Sequence, residues 1–200
     1  MKHDIWEYLQ REVYERCRKE TNCFGIGCYY HIAAVVKNAA LLAEPYGADR
    51  ETVMAAAWLH DIASVTDPRL YELHHIHGAE MARDILIRCG FDRRKIPLVQ
   101  TCIRSHRGSV LVEKCSPEER CVADADAISH LDNLPSLFYL AYVQKGMGID
   151  EGRDFVAGKL TRSFQKLSEA GKACCRERYE SAMALLRGLP CPAGTDASPL

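Results

Sequence analysis

The chain has 200 residues, 48% of them hydrophobic, which is enough apolar material for one substantial core, so a single domain is expected. A formal charge of -1 and a pI near 6.7 supply no cationic field for a nucleic-acid backbone. This excludes a stable polyanionic partner and leaves room for a small phosphorylated ligand in a locally positive pocket. The longest apolar runs, such as Val53 to Leu59, fall far short of the roughly 20 residues that cross a bilayer, and no charged-then-apolar segment opens the chain; no membrane partner and a cytoplasmic location are expected.

Alanine, leucine and charged residues recur at helical spacing from end to end, without alternating β-branched runs, so an all-α helical bundle is predicted. A first helix is expected over 2–20, then a glycine-containing turn from Asn22 to Gly27, then a second helix from about Tyr29 to Glu44 that Pro45 and Gly47 stop. Asp49 is the expected N-cap of a third helix through Ala55, Ala56, Ala57 and Trp58 to about Ala63. Ser64 to Leu73 reads as a loop. A fourth helix runs from about His75 to Cys89 and ends at Gly90, and a fifth covers about Asp92 to Ser105.

After a loop from Gly108 to Cys115, Ser116, Pro117 and Glu119 form a capping-box pattern that opens a sixth helix toward Asn133. Leu134 to Lys145 and Asp150 to Leu189 give further helices, with breaks at Gly146, Gly148 and Gly171. Pro190 to Leu200, rich in Pro, Ala, Gly and Ser, is expected to be a disordered tail beyond a domain of residues 1–189.

Ten cysteines show no paired spacing and read as reduced thiols. Cys17, Cys23 and Cys28 are loosely grouped, but the gaps are wide and no fourth ligand is evident, so packing between helices is the plainer reading than a metal site.

The informative feature is a set of imidazoles and carboxylates: His31, the adjacent His60 and Asp61, His74, His106 and Asp126. Each lies in or beside a strongly apolar helix, and ionisable groups placed there are costly unless paired or metal-bound. A divalent ion needs such donors converging from different segments, which a helical bundle supplies. Adjacent His60 and Asp61 diverge by about 100° around a helix, so both reach one ion best near a helix end. A carboxylate can bridge two ions, which makes Asp61 the natural centre of a dinuclear site and the candidate catalytic residue. Asp124 and Asp126 lie about 200° apart on one helix, and position favours Asp126. His130, one turn after Asp126, reads as a packed or surface residue, and His75 and His77 are alternatives to His74.

With His31 in an amphipathic helix, Leu59-His60-Asp61-Ile62 after an alanine-rich helix, and Asp126 in an Ala-Asp-Ala-Ile context, the chain resembles the HD-domain metal-dependent phosphohydrolases. His74, ahead of Gly78-Ala79-Glu80, and His106 extend the likeness to dinuclear members. The resemblance implies the HD-domain fold, with a metal-site core at about 28–133 and C-terminal helices over 134–189. It also implies that His31, His60, Asp61 and Asp126 hold one divalent ion, and His74 and His106 a second that Asp61 bridges. The segment from Lys166-Leu167 through Arg176-Glu177-Arg178-Tyr179 is similar to the ending of small bacterial HD phosphohydrolases.

The chain departs from that pattern at Ala63 and Ser64, where many relatives carry Gly-Lys, so no role for that lysine carries over. The additional motifs of cyclic-dinucleotide phosphodiesterases are also absent, which disfavours that substrate class. The expected activity is hydrolysis of a phosphate ester or anhydride in a nucleotide-like substrate by metal-activated water, with no protein nucleophile. Arg104 and Arg107 are candidate phosphate donors. One or two ions of Mn, Fe, Co, Ni, Zn or Mg suit the mixed donors. A dinuclear iron oxygenase and a non-catalytic nucleotide sensor are the alternatives.

Overall fold

The computed structural model describes residues 4–106 and 114–187, and every regular element among them is helical. Expectations for Arg107, for most of the Gly108–Cys115 loop and for the tail from Pro190 lie outside these residues.

Local chemistry sets most boundaries. Helix α1 (Ile5–Cys17) opens on Asp4, whose carboxylate accepts from the Trp6 N–H at 2.9 Å. α2 (Gly27–Tyr46) is longer than expected: Pro45 lies inside its last turn, and the stop is made by Gly47, at φ +66, in the left-handed region that favours glycine. Asp49 caps α3 (Arg50–Leu59), accepting from the Thr52 N–H at 2.9 Å. The stretch expected as a loop from Ser64 is helical instead. α4 (Ile62–Thr66) restarts directly after His60 and Asp61, and a 3-10 segment (Pro68–Leu73) follows, capped by the Asp67 carboxylate on the Arg69 N–H.

α5 (His74–Arg88) precedes Gly90, at φ +75. α6 (Ile96–Ser105) starts later than expected because Asp92 caps a separate turn, accepting from the Arg94 N–H at 3.0 Å. α7 (Pro117–Asp132) begins with both halves of the expected capping box: the Glu119 N–H donates to Ser116 Oγ at 3.1 Å, and the Ser116 N–H donates to Glu119 Oε2 at 2.9 Å. The region expected as one helix from Leu134 divides into α8 (Leu134–Phe138) and a π-helical turn (Tyr139–Gln144). α9 (Ile149–Lys166) and α10 (Glu169–Arg187) complete the chain.

α2 packs along α3 and α7, and α5 packs on α6, around a core that includes Ile32, Leu59, Ile62, Leu86 and Ile103. Ala55, Ala56 and Ala57 are fully buried, which lets α3 lie close to its neighbours. A second apolar cluster of Leu137, Ala141, Val156, Leu160 and Met183 joins α8, α9 and α10 and seats them beside α7.

The break between the last two helices falls at Leu167 and Ser168, not at Gly171. Gly171 lies inside α10 because it passes close to buried Asp124. That carboxylate accepts from the Tyr46 hydroxyl at 2.5 Å, from the Ser168 N–H at 3.1 Å and from the Ser168 hydroxyl. Burial, then the acceptor Asp124, push the Tyr46 hydroxyl well above its usual range, so it remains a donor. A Cβ at position 171 would come within 2.6 Å of Asp124 Oδ2. Glycine to alanine inside a helix ordinarily stabilises by up to about 1 kcal/mol. Gly171→Ala is predicted instead to destabilise by about 1–3 kcal/mol, seen as a lower urea midpoint at unchanged slope; a raised midpoint would contradict this packing.

Candidate metal centre

The site begins with a repeated piece of helix-end chemistry. His60 follows α3, His74 follows the 3-10 segment and His106 follows α6, each at the C-cap position. Helix ends leave carbonyls without partners, and each imidazole satisfies one three residues back. His60 Nδ1 donates to the Ala57 carbonyl at 2.8 Å, His74 Nδ1 to that of Tyr71 at 2.7 Å and His106 Nδ1 to that of Ile103 at 2.6 Å. Carbonyl oxygens only accept, so the proton is fixed on Nδ1 and Nε2 of the neutral ring is a lone pair.

His31, on α2, reaches the same state by another route. The Ser129 hydroxyl spends its proton on the Asp126 carbonyl at 2.6 Å, so the 2.9 Å contact is a donation from His31 Nδ1 to Ser129 Oγ. His31 Nε2 then faces Asp126 Oδ1 at 3.3 Å.

These lone pairs converge on two carboxylates. Asp61 sits in the break between α3 and α4, where the backbone leaves the helical path and turns its side chain to the same side as His60. Asp61 Oδ2 lies 3.4 Å from His60 Nε2, while Oδ1 lies 3.5 Å from His74 Nε2 and 3.9 Å from His106 Nε2. Asp126 Oδ1 is also 4.0 Å from His60 Nε2. His31, His60 and Asp61 therefore form one group of metal-binding spacing, and Asp61, His74 and His106 another.

A cation fits this donor set. His60 Nε2 is buried without a hydrogen-bond partner, and His74 Nε2 faces His106 Nε2 at 3.3 Å, two acceptors pointed at one another. The electrostatics call for positive charge as well. Burial works against a charged imidazole at His60, yet the negative charge of Asp61, with Asp126 behind it, holds it up at about 9. Burial, reinforced by the charge of His60, drives His106 down to about 4. Both carboxylates lie below their usual range: burial opposes this, but His60 at Asp61, and His31 together with His130 at Asp126, outweigh it.

The remaining candidates sort by position. Asp124 points toward Tyr46 and Ser168, leaving Asp126 to face the cluster. His77 is exposed, and His75 joins no group of metal-binding spacing among the described residues. Arg104 is exposed and paired with Glu80 on α5. No cysteine joins such a group among the described residues, and Cys23 is exposed. His130, read from the sequence as packed or superficial, is buried, packs tilted against His31 at 4.6 Å between centroids, and forms a further group of metal-binding spacing with His31 and Asp126. Its signal was the four-residue step from Asp126, which puts both on one helix face.

The profile of the HD domain matches residues 28–131, which takes in His31, His60, Asp61, His74, His106 and Asp126 as well as His130. No curated protein matches the sequence. Among solved structures, Bacillus subtilis YpgQ in complex with ADP is similar at 20% identity and a TM-score of 0.65, over 91% of this chain and 94% of that one. A second YpgQ structure gives 19% identity and a TM-score of 0.69 over 92% of each chain. A predicted HD superfamily hydrolase from an uncultured Thermotogales bacterium gives 23% identity and a TM-score of 0.51, over 78% of this chain and 84% of that one. At these identities the likeness speaks for the fold, and with the matched profile over half of its length the chain belongs to the HD domain family.

Proposed function

We propose that this protein is a metal-dependent phosphohydrolase or pyrophosphohydrolase acting on a nucleotide or a related small phosphate ester or anhydride. The observation that carries the reading is the division of Asp61, one carboxylate oxygen facing His60 and the other facing His74 and His106. His31, His60, Asp61 and Asp126 would hold one divalent ion; His74 and His106, with the other oxygen of Asp61, would hold the second. Bound divalent ions supply an acidified water as nucleophile and charge compensation for phosphoryl oxygens.

The chain's own part is preorganisation. The three helix-end carbonyls and Ser129 fix the imidazole tautomers, and the alanine-rich core holds their positions. Mixed nitrogen and oxygen donors suit Mn, Fe, Co, Ni or Zn, and Mg less well. The ADP complex of YpgQ favours a nucleotide as the phosphorylated substrate.

Incubation with a panel of nucleotides and a generic phosphodiester, with Mn or with EDTA, is expected to release phosphate or pyrophosphate only with the metal. Asp61→Ala should cut that release by more than about a hundredfold, the range already reached by losing outer-shell partners, and should empty the site of metal. Full turnover in EDTA would refute the proposal, and oxygen consumption by an iron-loaded protein would turn it toward an oxygenase. For the second ion, elemental analysis of His74→Ala should find one metal fewer than in His77→Ala; the reverse ranking would reassign the ligand. Ser129→Ala, which leaves His31 Nδ1 without its acceptor, should weaken Mn affinity by about 10–100-fold in competition with a fluorescent chelator, and unchanged affinity would remove Ser129 from the account.

A further inference from the structure

The histidine and aspartate cluster leaves the cations of α9 unexplained. That helix packs on α7 beside the cluster: Ser163 Oγ lies 3.3 Å from His130 Nδ1, and the His130 ring packs against His31. Lys159 is one turn before Ser163 on the same helix face. Its half-buried ammonium is near enough to Asp126 and Asp61 to feel both charges, yet among the described residues it makes no hydrogen bond or ion pair. Burial pulls its pKa below the ordinary lysine value, as expected of an ammonium short of partners.

Arg162 and Lys166 continue the same stripe, displaced along the axis from Lys159 by about 4.5 Å and about 10.5 Å. The Arg162 guanidinium lies back across Gly158, where an added Cβ would meet Nη1 at 3.1 Å, so the glycine leaves it room to lean toward Lys159. Among the described residues neither Arg162 nor Lys166 pairs with a carboxylate. Arg153 on α9 does, as do Lys172 and Arg178 on α10. A row of unpaired cations that starts beside the two site carboxylates and runs outward along one helix is complementary to a chain of phosphoryl groups, and only the cation nearest the cluster could serve a monoester.

We propose that Lys159 and Arg162 are the phosphate-binding residues. Lys159 holds the phosphoryl group seated at the cluster, and Arg162 the next one of a di- or triphosphate, so the preferred substrate is a phosphoanhydride. This assignment rests on the phosphohydrolase reading and moves to α9 the role expected of Arg104, whose guanidinium is engaged by Glu80.

The test is calorimetric titration of the Mn-loaded full chain with orthophosphate and with methylenediphosphonate, whose two phosphoryl groups share a bond that water does not cleave. Lys159→Met, which keeps the alkyl stem, should weaken both ligands by about tenfold or more, while Lys159→Arg retains most of the affinity. Arg162→Met, at an exposed position where folding is not at stake, should weaken the diphosphonate by a similar factor and leave orthophosphate unchanged. Manganese content should stay at the parent level in all three. Wild-type affinity in both methionine variants, alongside nucleotide hydrolysis by the parent, overturns this assignment and leaves the hydrolase standing. A parent protein that binds neither ligand and cleaves no nucleotide overturns the hydrolase and this assignment together.

Discussion

A neutral imidazole whose Nδ1 proton is fixed on an acceptor presents Nε2 as a lone pair, and this protein directs the Nε2 atoms of four such rings and two carboxylates into one cluster. That much negative potential in a buried cluster calls for a cation. The arrangement in turn constrains the helices that make it. α3 must end at Leu59 so that His60 and Asp61 can face the same way; α6 must end at Ser105 so that His106 can cap it; and the 3-10 segment must deliver His74 opposite both. Using each ligand as a helix cap couples the local rule for ending a helix to the global need for a metal site.

This coupling explains what the sequence disclosed. Caps built from short polar side chains were readable, as at Asp49 and at the Ser116–Glu119 box, because their partners lie within a few residues. The six candidate ligands were readable as ionisable groups in apolar surroundings. The end of α3 was placed several residues late because histidine is not an expected helix stop, and the pressure to end there comes from a pocket assembled by five segments. The helical character of Ser64 to Leu73 was missed for a related reason: Asp67 and Pro68 read as loop residues, yet they also open the 3-10 segment. Gly171 reads as a break in the sequence, whereas its lack of a side chain serves the approach of α10 to Asp124.

Long-range features were the least legible. His130 could be placed on the Asp126 face by spacing, but its packing against His31 depends on how α2 lies along α7. Lys159 and Arg162 carry no local signal at all; only the packing of α9 on α7 brings Lys159 near enough to feel the charge of Asp126, more than thirty positions earlier. Conversely, Arg104 adjoins His106 in sequence but projects from the opposite side of its helix onto Glu80. Proximity in sequence to a ligand is a poor guide to proximity in space on a helix, where neighbours diverge by about 100°.

Anomalous diffraction from crystals grown with Mn would locate the ions. Two peaks roughly 3.5–4 Å apart are expected, one within ligand distance of His31, His60, Asp61 and Asp126, the other within reach of Asp61, His74 and His106. A pocket without a peak, or a single peak that leaves either set of imidazoles without an ion, would contradict the two-ion site.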